Sequence, residues 1–193
     1  KICEENNITI TIGSLSYLKN LKLKDYKKIK VHLKINTGMN RLGISNGSEL
    51  EEVVKILKDN NIEIEGIYTH IYNALNKKHY EEQVERFKNV TKKIDIRNIK
   101  IVHISASEAT MNYPKLDFAN GCRLGIVMYG FYGPKDLNLK STFVLKREEI
   151  QINEIKKGET VRNKGTYTAE KNEKIAGVYM KGRFDEDLIL VPI

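Results

Sequence analysis

What most constrains the fold of this chain is an alternation between two hydrophobic periods. Residues 8–12, 29–35, 62–71 and 99–105 read as strands, rich in β-branched residues. Between them the period lengthens to that of a helix. A plausible helix follows Ser14 to about residue 23, with Ser14 as its N-cap. Leu50, Val53, Val54 and Leu57 form one stripe behind a Ser48 cap, and Tyr80, Val84, Phe87 and Val90 another within 76–94. Strand and helix succeed one another at spacings of roughly 30 residues or longer, the signature of βαβ units in a parallel sheet or barrel.

A second regularity separates those two architectures. Each strand ends in polar residues: Lys34, His70, Ser107 and the segment around Arg123. A barrel gathers polar side chains from several strand ends at one rim while the residues below fill its core. The stretch VHLKINTGMNRLGI (31–44) shows this most clearly. Val31, Leu33 and Ile35 alternate with His32 and Lys34, the strand breaks at Thr37-Gly38, and Arg41-Leu42-Gly43 follow. On spacing alone, a strand running into a turn with solvated Lys34 and Arg41 accounts for it equally well. Past Gly133-Pro134 the helical period disappears, and 141–155 and 174–180 alternate in the strand period around turn signals at Lys157-Gly158 and Asn172. The expected organisation is part of a TIM-type (β/α) barrel over 1–133, followed by the beginning of a β domain over 134–193, with too few strands to close a core alone.

Composition excludes several function classes. The chain has 193 residues and a net charge of +8, from 33 Lys and Arg against 25 Asp and Glu. The basic residues are interspersed with acidic ones and form no stripe with aromatics, which argues for a solvated surface and against a nucleic-acid face. No apolar run approaches the roughly 18 residues of a membrane span, and no signal peptide is visible. Two cysteines, Cys3 and Cys122, suggest a reducing compartment, hence the cytoplasm, with no disulfide framework and no metal site. The chain starts at Lys1 without a methionine, as a piece of a longer protein would.

Four segments, taken in order, are more specific than any of this. They are LKINTGMNRLGI (33–44), GIYTHI (66–71), HISASEA (103–109) with CRLGIVMYG (122–130), and GETV with GTYTA (158–169). At these intervals the set resembles the alanine racemases, pyridoxal-phosphate isomerases with an α/β barrel followed by a β domain. The resemblance extends to about Ile175. It implies a role for each matching position. Lys34 is a candidate for carbamylation, its anionic carbamate holding Arg41 against cofactor and substrate carboxylate. His70 lies against the pyridine ring. Ser107 and the backbone of Gly125 and Ile126 bind the phosphate, glycine permitting close approach. Arg123 faces the pyridine nitrogen; since it does not give up its proton, it disfavours protonating that nitrogen. Cys122 beside it is expected to be a packing residue. The resemblance also implies an amino-acid substrate, with alanine the default and serine or another amino acid as alternatives, a role in peptidoglycan precursor supply, and a homodimer.

The departures from the family pattern bear on activity. The lysine that attaches the cofactor in the family falls in a segment ahead of residue 1. Asn163 stands at the position of the second catalytic base, a tyrosine, and an amide has no titratable proton. Tyr167 matches a different family tyrosine. Asn36 stands where aspartate is usual, and Tyr179-Met180-Lys181-Gly182-Arg183 does not match the next family segment. The expectation is an internal fragment or degenerate copy, inactive as an isolated chain. The alternative is a non-catalytic remnant that binds the cofactor or a partner.

Overall fold

Alternation along each strand sends one set of side chains toward helices and the other set away from them, and this builds the larger part of the molecule. The computed structural model describes residues 2–23, 28–130, 137–142, 149–161, 167–179 and 188–192. The chain divides into two compact units, Lys1–Thr142 and Phe143–Ile193.

In the first unit a short helix α1 (Ile2–Glu5) precedes β1 (Ile10–Ile12), α2 (Leu15–Asn20), β2 (Lys30–Lys34), α3 (Gly47–Asp59), β3 (Glu63–Tyr68), α4 (Lys77–Thr91), β4 (Ile101–Ala106), α5 (Ser107–Asn112) and β5 (Gly121–Arg123). The five strands form one sheet in the order β1-β2-β3-β4-β5, every adjacent pair parallel. Strands adjacent in sequence are adjacent in space and joined through helices, so the sheet is an arc of an α/β barrel. Parallel pairing brings all the C-terminal strand ends to one edge.

The core lies between the sheet and its helices. Ile12, Val31, Leu33, Ile67, Val102 and Ile104 from the strands meet Leu18 of α2, Leu50, Val53 and Leu57 of α3, and Val84 and Phe87 of α4. Burying each such side chain stabilises the fold by about 1.5–3 kcal/mol.

Element ends differ from the sequence expectation for local reasons. Ser14 does cap α2, accepting the Tyr17 amide at 3.1 Å, but the helix stops at Asn20 because Leu21 turns to extended backbone. The α3 cap is Asn46 rather than Ser48: its side-chain oxygen takes the Glu49 amide at 2.9 Å. The Glu49 carboxylate is turned to the Leu15 amide at 3.0 Å. Strand β3 ends at Tyr68, leaving His70 in the loop beyond it. After β5 the chain enters a 3₁₀ turn at Ile126–Tyr129.

The second unit contains β6 (Glu149–Ile155), β7 (Thr160–Val161), β8 (Tyr167–Thr168), β9 (Glu173–Tyr179) and β10 (Leu188–Pro192). An antiparallel sheet runs β10-β9-β6, and β7 pairs with β8. The Lys157-Gly158 turn is seen, with Gly158 at φ +89°. The described strands of this unit pair antiparallel throughout. Among the described residues no helix is long and apolar enough to cross a membrane, and Cys3 and Cys122 are both free thiols. Asn163 lies outside the described residues.

Candidate active site at the strand ends

The face of the sheet turned away from the helices is polar. His32 and Lys34 of β2, Tyr68 of β3, His103 of β4 and Arg123 of β5 occupy it, as the two-residue period requires. Arg123 Nη1 donates to His103 Nδ1 at 2.7 Å and to the His103 carbonyl at 3.0 Å; Nη2 donates to the Thr69 carbonyl at 2.6 Å. His103 Nε2 lies 2.8 Å from His32 Nδ1, and His32 Nε2 lies 3.6 Å from the Glu65 carboxylate.

The direction of this chain follows from its first member. A guanidinium only donates, so His103 Nδ1 accepts, leaving Nε2–H to donate to His32 Nδ1, and His32 Nε2–H to face Glu65. Both imidazoles are then neutral. Burial, followed by the charge of Arg123, pushes His103 down to about 4. Burial also lowers His32, against the pull of Glu65. Glu65 sits at the far end, its carboxyl depressed to about 2 by hydrogen bonds from Lys30 and Thr9, each at 2.8 Å. Tyr68 stacks on His103 with centroids 4.7 Å apart, and the Arg123 guanidinium lies 4.8 Å over its ring. Gly66 makes room for this arrangement: a Cβ there would sit 2.5 Å from the His32 ring.

At the edge above lie Lys34, Arg41 and His70. Lys34 is buried with its Nζ 5.8 Å from the Tyr68 ring centroid, and it has no carboxylate partner among the described residues. Burial, then Arg41 and Arg123, lowers its amine. His70 is lowered by burial first, then by Arg123, Arg41 and Lys34. Three cations therefore act on the one imidazole. Arg41 itself is exposed, carried by the loop between the Ile35–Ile44 bridge. That loop needs glycine at Gly43, where φ is +131° and a Cβ would lie 2.6 Å from the Asn36 amide nitrogen. Asn36 organises its interior. Its oxygen accepts the Gly38 and Asn40 amides at 3.1 Å each, while its nitrogen donates to Asn40 Oδ1 at 3.0 Å and Ser45 Oγ at 3.2 Å. An ionised aspartate would keep the two acceptor bonds but could not donate, so Asn40 and Ser45 would have to turn their own donors toward it. Below it, Thr37 and Thr69 join the ends of β2 and β3 through hydroxyls 2.8 Å apart.

Ser107, Gly125 and Ile126 form a third group. Ser107 opens α5 and is buried; its Oγ accepts the Gly125 amide at 2.9 Å and lies 3.5 Å from the Val127 amide. A Cβ at Gly125 would meet nothing within 4 Å. The Ile126 amide has no acceptor among the described residues.

The structure thus brings Lys34, Arg41 and Arg123 within electrostatic reach of His70, and places Gly125 and Ile126, just past Arg123, against the Ser107 hydroxyl. Cys122 is corrected: it is exposed and lines a cavity of about 330 Å³ with Tyr113 and Leu116, because nothing among the described residues covers that side of β5. The largest cavity described, about 620 Å³, lies elsewhere, between α3 and the segment after α4. The strand-end site is an open surface. Sequence reading missed His103, Tyr68 and Glu65 and gave His32 no role. A usable signal existed: His32 and His103 both fall between the apolar positions of their strands. Tyr167, in the second unit, donates its hydroxyl to Glu173 at 2.6 Å, and that bond, with Glu173 ionised, raises its pKa.

The family model described as the alanine racemase N-terminal domain matches residues 1–133. The alanine racemase of Listeria monocytogenes serotype 4b (strain CLIP80459) is 31% identical over 184 residues, covering 91% of this chain and 49% of that protein. That of Streptococcus pyogenes serotype M2 (strain MGAS10270) is 32% identical over 183 residues, covering 90% and 49%. The chain therefore spans about half the length of the curated relatives it matches. Among solved structures, alanine racemase of Clostridium difficile 630 superposes with a TM-score of 0.65 at 29% identity, covering all of this chain and 60% of that one.

Proposed function

The chain belongs to the alanine racemase family, and on that premise we propose that its first unit carries the phosphate, ring and carboxylate contacts of a pyridoxal-phosphate amino-acid racemase. The observation that carries this reading is the Arg123 guanidinium, held by two carbonyls and a neutral imidazole with no carboxylate among those partners, two residues before an open amide cup.

The residues present fit the cofactor. An Ile126 amide without an acceptor, an open flank at Gly125 and the buried Ser107 hydroxyl offer donors to a phosphate. Arg123 would offer the pyridine nitrogen a donor that keeps its own proton, which disfavours protonating that nitrogen. His70, its protonated form disfavoured first by burial and then by Arg123 and Arg41, would present a flat uncharged face to the ring. Lys34, its amine lowered by burial, has more of the neutral form that adds carbon dioxide. The resulting carbamate would convert a buried cation, which has no carboxylate partner among the described residues, into an anion near Arg41 and Arg123, and would orient Arg41 toward a substrate carboxylate. When bound, the cofactor supplies the electron sink that makes an amino-acid Cα proton removable.

Asn163 supports a limited activity. An amide accepts a hydrogen bond but does not take the Cα proton, and losing a positioned base costs about 10²–10⁴-fold in rate. The isolated chain therefore binds pyridoxal phosphate reversibly and racemises alanine slower than a tyrosine-bearing relative by about that factor or more, and a family-type homodimer is its assembled form. Alanine is the default substrate of this reading, with serine the nearest competitor.

Equilibrium dialysis of the chain against pyridoxal phosphate tests this. Saturable binding, competed by inorganic phosphate and weakened about tenfold or more by Ser107→Ala, is expected. Binding of pyridoxal as tight as that of pyridoxal phosphate would remove the phosphate cup from the reading. Stoichiometric borohydride fixation on one lysine would show that the chain has its own attachment residue.

A further inference from the structure

The hydrogen bonds of the strand-end group do not explain the position of His70. Its imidazole has no hydrogen-bond partner among the described residues. The charges acting on it, Arg123, Arg41 and Lys34, all repel its protonated form. No hydrogen bond among the described residues therefore fixes the ring, and the backbone on either side is what is tied down.

That backbone is held by side chains on both sides. On the N-terminal side, the Thr69 carbonyl accepts Arg123 Nη2, and the Thr69 hydroxyl is paired with Thr37 and bonded to the Ile35 carbonyl at 2.9 Å. On the C-terminal side, three consecutive residues are each tied to a side chain. The Tyr72 amide donates to Gln83 Oε1 at 2.9 Å; Gln83 Nε2 donates to the Asn73 carbonyl at 3.0 Å and to the His79 carbonyl at 2.8 Å. The Ala74 amide donates to Glu108 Oε2 at 2.7 Å. Gln83 and Ala74 are both buried, so water does not readily replace these bonds. Glu108 is the residue after Ser107, on the first turn of α5.

We infer that Gln83 and Glu108 are positioning residues that clamp the His70 segment, and that Glu108 couples this segment to the Ser107 turn. Ring contact and phosphate contact are then set by one framework: a displacement of α5 that moves Ser107 moves the anchor of Ala74 with it. Glu108 acts through its reach and its oxygen. Its charge is not among those that act on His70.

The inference rests on the reading of His70 and Ser107 as cofactor contacts, and the test separates the two. Two variants divide reach from charge. Glu108→Asp keeps the charge and shortens the side chain by one methylene; Glu108→Gln keeps the length and the acceptor oxygen and removes the charge. The first readout is the His70 imidazole proton signal of the cofactor-free chain, assigned by its loss in His70→Asn and followed against pH. Glu108→Asp is expected to shift this signal and raise its midpoint toward the ordinary 6.5. Glu108→Gln is expected to leave it as in the parent. The second readout is pyridoxal phosphate affinity, reduced about tenfold by Glu108→Asp and restored in Glu108→Gln.

An unmoved His70 signal in Glu108→Asp, or equal perturbation by both variants, overturns the clamp. If the parent binds no cofactor while the His70 signal behaves as expected, the clamp stands and the functional reading falls. Should Glu108→Asp not fold, Gln83→Glu serves in its place. It keeps the acceptor for the Tyr72 amide, removes the two donor bonds, and must move the His70 signal.

Discussion

The two faces of the five-stranded sheet are made by alternate residues of the same strands, yet they do different work. In β2, Val31 and Leu33 are fully buried against helices, while His32 and Lys34 between them point to the face that carries the hydrogen-bonded chain. The helix-facing side is bound by apolar area, which is non-directional and tolerates small shifts. The opposite side is bound by hydrogen bonds with fixed donors and acceptors, each of which must find its partner. The lesson is that stability and site geometry are separable here, although no strand belongs to only one of them.

The hardest test of that separation is Phe87→Ala. Phe87 is fully buried in the helix-facing core and lies 6.0 Å, centroid to centroid, from Phe118. Truncation is expected to destabilise by about 3–5 kcal/mol, read by urea denaturation. A loss under about 1 kcal/mol would mean that the apolar face does not carry the fold.

Gly66→Ala comes next. The added methyl would press on the His32 ring and cost about 1–3 kcal/mol. In a His32→Ala background the cost should largely vanish, because the obstructing ring is gone. Additive losses in the double variant would show that Gly66 is required for another reason.

The smallest effect at neutral pH is the pH dependence of stability, which belongs to the polar face alone. His103, depressed from 6.5 to about 4, binds fewer protons folded than unfolded. Its contribution is complete above pH 6.5 and lost as pH falls toward 4. Glu65, depressed from 4.5 to about 2, gives a second loss in the same direction, beginning below pH 4.5. His103→Gln should flatten the first window and Glu65→Gln the second. Stability unchanged between pH 7 and 4 in the parent would mean that the imidazoles are not held neutral.

Much of this was legible in the chain itself. The period-two alternation of β2 and the helical stripes of α3 and α4 depend on residue type and spacing, so the parallel α/β arrangement could be read from them. The residues at the strand ends could be read as well, because parallel strands all finish at the same edge. Element ends could not: whether Asn46 or Ser48 caps α3 depends on which side chain reaches the Glu49 amide.

The chain from Arg123 to Glu65 was also hidden. His103 and His32 are 71 positions apart in sequence and 2.8 Å apart in space, and no local pattern records such a pairing. The same holds for the clamp on the His70 loop, where Gln83 and Glu108 arrive from two different helices. Sequence by itself determined which residues lie on which face and which strand ends carry polar chemistry, because both follow from local spacing. Only the tertiary structure decided which polar groups meet, which of them stay neutral and where the His70 loop is held, because those depend on burial and on partners brought together by the pairing of distant strands.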